Sequence, residues 1–211
     1  MGWIACPRCN GKGTVELFQT CPRCYGAKKV FMDEQRLLTA DEVRNIPDED
    51  LPLLVVSYGI GSPISTAIVG LRGGNYNHLM WYAVKGHLAS QGNTFCDVPI
   101  DEYLKRHTMK FITNINWTAK DKADILDAIR QDLSRFVLRR WYDYIGCVSQ
   151  MSKYTKWIHI PWLSICSDYG RYLAIYDKHY KLKLPTPSEV NEYTKTHREI
   201  GYRVRGRFRP D

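Results

Sequence analysis

Apolar and polar positions form short strand-like blocks through the middle of this chain and change to a helical period after residue 118. The run Leu51 to Val56 is continuous, apolar and strand-sized. Tyr76 to Val84 is rich in aromatic and apolar residues, and His87 to Ser90 reads as the return arm of a hairpin turning at Lys85-Gly86. Further strands are expected at Phe95 to Ile100, ended by Pro99, and at Lys110 to Ile115. Thr118, with Asp121 three positions on, caps a helix running to about Arg140. Its core-facing stripe is Ile125, Ile129, Leu133, Phe136 and Val137. Thr39-Ala40-Asp41-Glu42 caps a shorter helix from Ala40 to about Ile46, stopped by Pro47. Another helix is expected from near Cys166 to about Tyr176, and a last one opens at Thr186-Pro187-Ser188-Glu189. Strands grouped in the middle with helices mostly after them predict an α+β fold.

Length and charge refine this picture. The 211 residues hold one medium domain and a small appendage. The expected division is a four-cysteine metal module at 1–35, a linker with a short helix at 36–50, the main domain at 51–184, and a basic C-terminal tail at 185–211. No apolar run reaches the length of a membrane span. The formal charge of +8 raises the question of nucleic acid. Arg203, Arg205, Arg207 and Arg209 alternate with other residues, so an extended strand would carry them on one side. With neither a helix-turn-helix pattern nor a spaced set of stacking aromatics, the tail is expected to dock on an acidic protein surface or to stay solvated, and not to bind DNA.

The most specific motif lies at the start. Cys6, Cys9, Cys21 and Cys24 form two Cys-Pro-Arg-Cys knuckles, the spacing that completes a tetrahedral four-thiolate shell. A structural zinc ion is the expected occupant, with an iron–sulfur cluster as the rival. Disulfides are disfavoured because no leader precedes the motif, which also implies synthesis in the cytoplasm. Four thiolates leave no open position for water, so the metal acts as a staple for a segment too short to fold alone. The knuckles, followed by Asn10-Gly11-Lys12-Gly13 and Tyr25-Gly26, resemble half of the zinc region of DnaJ-type chaperones. The J-domain signature His-Pro-Asp of those chaperones is missing.

Of the three remaining cysteines, Cys96, Cys147 and Cys166, only Cys166 stands at an expected helix start, where unpaired N–H groups favour a thiolate. A thiolate nucleophile needs a histidine base. His78, in the apolar strand Asn77-His78-Leu79-Met80-Trp81-Tyr82, is the best placed. His87 is expected at the hairpin turn, His107, His179 and His197 in solvent, and His159 beside the cysteine's cleft. Gln91 or Ser90 is available to hold the imidazole, a register shift of one residue deciding which.

The order of these elements resembles circularly permuted papain-like thiol hydrolases, relatives of NlpC-type cell-wall peptidases. The resemblance rests on Gly61-Ser62-Pro63-Ile64, Tyr76-Asn77-His78, Val98-Pro99-Ile100-Asp101-Glu102-Tyr103-Leu104, Trp141-Tyr142-Asp143-Tyr144-Ile145-Gly146 and Leu163-Ser164-Ile165-Cys166-Ser167-Asp168. It implies a papain-like antiparallel sheet with packed helices. It also implies a cysteine hydrolase of amide bonds, with Cys166 as nucleophile, His78 as base, Ser90 or Gln91 as orienter, and Tyr142, Tyr144 and Trp162 shaping the cleft. Short relatives of this kind occur in bacteriophage tail tips and cut peptidoglycan peptides. The resemblance therefore also implies a virion location, with the zinc module and the arginine-rich segment docking on a tail hub or baseplate. Such relatives commonly carry Glu, Gln or another polar orienter, and the lack of an acidic one here allows a second role, a non-catalytic assembly protein on the same scaffold.

Overall fold

Seven strands form one sheet in the order β5-β11-β10-β6-β7-β8-β9. The computed structural model describes residues 3–5, 14–15, 19–20, 29–31, 37–59, 76–114, 116–136, 140–149, 158–160, 162–178, 180–182, 185–196 and 202–208; before Leu38 and after Thr194 the description is of the backbone. The sheet's strands are β5 (Leu37–Leu38), β6 (Leu53–Gly59), β7 (His78–Val84), β8 (His87–Gln91), β9 (Phe95–Pro99), β10 (His107–Asn114) and β11 (Tyr202–Phe208). Every pairing from β11 to β9 is antiparallel, and only β5 runs parallel to its neighbour β11. Among the described residues, six helical segments accompany the sheet: α1 (Ala40–Arg44), α2 (Ile100–Leu104), α3 (Ala119–Ser134), α4 (Tyr144–Ser149), α5 (Leu173–Tyr176) and α6 (Pro187–Thr196). Short 3-10 turns run over Asp48–Asp50 and Cys166–Tyr172. The fold class is α+β.

Both faces of the sheet are covered, which is why Leu53 to Val56 is apolar without alternation. Leu54, Val56, Leu79, Trp81 and Ile112 pack with Ile125 and Ile129 of α3, with Tyr169, Tyr172 and Leu173, and with Val190 of α6. Their sequence neighbours Leu53, Val55, Met80, Tyr82 and Phe111 face the other way, against Val43 of α1, Ile46 just after it, and Ile100 and Leu104 of α2. The β7–β8 turn places Gly86 at φ +80°, in the left-handed region. The Tyr82 hydroxyl closes the turn by accepting the Gly86 N–H at 2.9 Å.

Several expected boundaries move. The helix capped by Thr118 and Asp121 stops at Ser134, because Arg135 turns extended. Phe136 therefore leaves the stripe and is 71% exposed; Val137 lies outside the described residues. The segment after Cys166 begins as a 3-10 turn and becomes α-helical only at Leu173. The residues expected as a tail are part of the body: Val190 is fully buried and β11 pairs with β10. The expected linker also contributes, through β5 and the buried Val43. A register shift where β11 meets Phe111 and Ile112 interrupts the strict alternation along the arginine-rich strand. Ahead of the sheet, β1 (Trp3–Ala5) pairs antiparallel with β4 (Lys29–Phe31), and β2 (Thr14–Val15) with β3 (Gln19–Thr20). No helix among the described residues is long and apolar enough to cross a membrane.

Candidate active site

The β7–β8 register decides which side chains meet His78. Met80 lies opposite Ser90, so His78, two residues earlier, shares a face with Ser90, and Gln91 takes the other face. His78 Nε2 is 2.9 Å from Ser90 Oγ. Gln91 instead accepts a hydrogen bond from the Tyr169 hydroxyl at 2.9 Å and donates to the Arg140 carbonyl at 2.7 Å. Of the two candidate orienters, Ser90 meets the imidazole and Gln91 braces the segment that follows Cys166.

That segment is fixed from several sides. Trp81 Nε1 donates to the Tyr169 carbonyl at 2.9 Å, and the Phe95 and Tyr169 rings stack with centroids 3.8 Å apart. Arg171 and the Tyr172 hydroxyl each donate to Asp132 of α3 at 2.5 Å. Cys166 is 4% exposed, and its Sγ lies 4.0 Å from the Asn77 carbonyl oxygen. The Leu79 N–H also approaches the sulfur and favours its charged form. The thiol thus rests against the main chain on both sides of His78. Among the described residues, no hydrogen bond joins Sγ to the imidazole itself.

Burial pushes both groups toward their neutral forms. Burial pushes the Cys166 thiol up to about 12. Burial, aided by the nearby His107, pulls His78 down to about 3. Desolvation works against the thiolate expected at this position, and the few N–H groups of a short 3-10 turn work for it.

Beside His78 opens a cleft of about 660 Å³, lined among others by Cys96, Tyr103, His107, Tyr142 and Tyr144. Tyr142 is held by its N–H to the Asn93 carbonyl at 2.9 Å, and its hydroxyl donates to Cys147 Sγ at 3.2 Å. Cys96 stands directly opposite Ser90 in the β8–β9 ladder. Trp162 and His159, both expected in this cleft, instead line a separate hollow of about 510 Å³. His107 is not in solvent. Its Nδ1 lies 3.2 Å from Ser57 Oγ, and its ring is 4.7 Å from that of Tyr103. His87 pairs with Asp97 at 2.9 Å near the hairpin turn.

Sequence reasoning missed Tyr103, whose hydroxyl is 2.5 Å from Ser90 Oγ and 3.5 Å from His78 Nε2. The signal available was its position in a short helix that directly follows β9. Cys6, Cys9, Cys21 and Cys24, together with His179 and His197, lie outside the described residues. Among the described residues no group of three or more His, Cys, Asp or Glu side chains is arranged to hold a metal. Compared with protein-family models and with curated proteins, the chain matches none.

Proposed function

We propose that this protein is a cysteine hydrolase of amide bonds on a papain-like, circularly permuted scaffold, with Cys166 as nucleophile and His78 as base. The observation that carries the reading is the placement of the Cys166 sulfur against the backbone of Asn77 and Leu79, the two residues flanking His78, whose Nε2 is 2.9 Å from Ser90. Because Ser90 occupies Nε2, Nδ1 is the nitrogen left to receive the thiol proton. The burial of both groups argues against a standing thiolate–imidazolium pair. In this reading the proton leaves Sγ for His78 as the sulfur attacks the carbonyl, and it passes to the leaving amine when the C–N bond breaks. Water then hydrolyses the thioester. The cleft beside His78 is where a substrate would lie, and a peptidoglycan peptide is the substrate class the sequence resemblance points to, with a phage tail tip as setting.

For the knuckles we propose one zinc ion held by Cys6, Cys9, Cys21 and Cys24. Residues 6–13 and 21–28 each connect the β1–β4 ladder to the β2–β3 ladder, and each opens with its Cys-x-x-Cys. Four thiolates at that spacing suit zinc as a closed structural site.

A second reading, a non-catalytic assembly protein, is favoured by the geometry: among the described residues no hydrogen bond joins the Cys166 sulfur to the His78 ring. With the thiol pushed up to about 12 and the imidazole down to about 3, the proton affinities stand in the wrong order for easy transfer. Alkylation with iodoacetamide at pH 7, read thiol by thiol by mass spectrometry, separates the two without choosing a substrate. General-base assistance makes Cys166 react on the order of 100-fold faster than the equally buried Cys147, and His78→Ala removes the advantage. Equal rates at Cys166 and Cys147 would sink the hydrolase and leave the scaffold.

A further inference from the structure

We propose that Tyr103 is the positioning residue of the His78 imidazole, filling the place of an orienting carboxylate by fixing which ring nitrogen carries the proton. Ser90 is fully buried, and its hydroxyl hydrogen has two acceptors in reach, His78 Nε2 at 2.9 Å and the Tyr103 oxygen at 2.5 Å. Tyr103 is only half-buried and lines the cleft, so its own hydrogen can be given to water there. The chain then runs outward: Nε2–H donates to Ser90, Ser90 to Tyr103, and Tyr103 to the cleft. Nδ1 is left with a free lone pair. Without the Tyr103 oxygen, the buried Ser90 hydrogen has only Nε2 to go to. The ring must then carry its proton on Nδ1, the tautomer that cannot take a proton from a thiol.

The surroundings hold Tyr103 to this task. The His78 and Tyr103 rings are parallel within 1°, with centroids 6.0 Å apart, and the His107 ring tilts against Tyr103 at 4.7 Å. Tyr103 belongs to α2, anchored on the sheet by the buried Ile100 and Leu104. Burial raises the phenol above its ordinary value and keeps it a neutral donor and acceptor at neutral pH. A neutral hydroxyl chain sets the tautomer without offering a negative charge to an imidazolium.

The catalytic consequence rests on the hydrolase reading, but the tautomer can be measured without it. In protein labelled with ¹⁵N-histidine, two-bond ¹H–¹⁵N spectra at pH 7 report the proton position, with His78→Gln assigning the ring. The wild type is expected as Nε2–H and Tyr103→Phe, which keeps the aromatic ring, as Nδ1–H. In Ser90→Ala the bias is expected to vanish and both tautomers to appear. A wild type found as Nδ1–H, or a tautomer unchanged in Tyr103→Phe, overturns the proposal. Alkylation of Cys166 in Tyr103→Phe should fall to the His78→Ala rate. If the tautomer moves while that rate stays, Tyr103 keeps its positioning role and the hydrolase reading fails.

Discussion

His78 carries its lowered basicity into the pH dependence of stability. In the unfolded chain it titrates near 6.5, whereas in the folded protein burial and His107 hold it neutral down to about 3. Between those values the unfolded state binds a proton that the native state refuses, so stability falls as pH falls. The contribution is complete above pH 6.5 and is lost progressively toward pH 3. His107, also lowered by burial and by Arg106, acts in the same direction. Urea unfolding at pH 7 and pH 5 should show the wild type losing about 2 kcal/mol more than His78→Gln, at about 1.4 kcal/mol for each pH unit below 6.5. Identical losses in both proteins would mean that the imidazole is not withheld from protons. At this scale the sequence was readable only in part. His78 and Cys166 stand out by residue type and context. The choice between Ser90 and Gln91 hangs on a strand register that only pairing settles. Tyr103 and His107 were illegible because what gives them meaning is His78 and Ser57, 25 and 50 positions away.

Elements were legible where their signals are local. The capping boxes at Thr39 and Thr118 are present as expected, each with a reciprocal side-chain and backbone bond. The hairpin at Lys85-Gly86 is present too, and it permits a clean test. A Cβ on Gly86 would meet no atom within 4 Å, so a substitution there encounters only the cost of a left-handed backbone. Gly86→Ala should therefore destabilise by about 1 kcal/mol in urea unfolding while the spectra of the folded state stay unchanged. A change of only a few tenths would mean that the turn relaxes to negative φ. Where endings depend on tertiary contacts, the pattern misleads. Phe136 has the right period to extend the stripe, yet α3 ends two residues before it. Cys166 opens a 3-10 turn whose later residues are held by Trp81 at the Tyr169 carbonyl, by Gln91 at the Tyr169 hydroxyl and by Asp132 at the Arg171 guanidinium.

At the scale of the molecule, the pairing of residues far apart in sequence is what the linear pattern conceals. Placing β11 beside β10 draws the basic C-terminal segment into the sheet, and β5 then joins its outer edge. Truncation there removes a structural strand, not a free tail. The N-terminal ladders are built differently. The β1–β4 ladder has three residue pairs and the β2–β3 ladder two, too few to persist in water without another constraint. The proposed zinc supplies one, whereas the main sheet has apolar clusters on both faces and needs no metal. Metal removal should therefore divide the chain into two stability classes. Elemental analysis is expected to find about one zinc per chain, the stoichiometry of a four-thiolate site. After treatment with a strong chelator, amide exchange should rise sharply at Trp3–Ala5 and Lys29–Phe31 and stay slow across Leu53–Gly59 and His78–Val84. Iron with visible absorbance in place of zinc would move the site to a cluster. Slow exchange in the β1–β4 ladder after complete metal loss would mean that the four cysteines do not hold this part of the chain together.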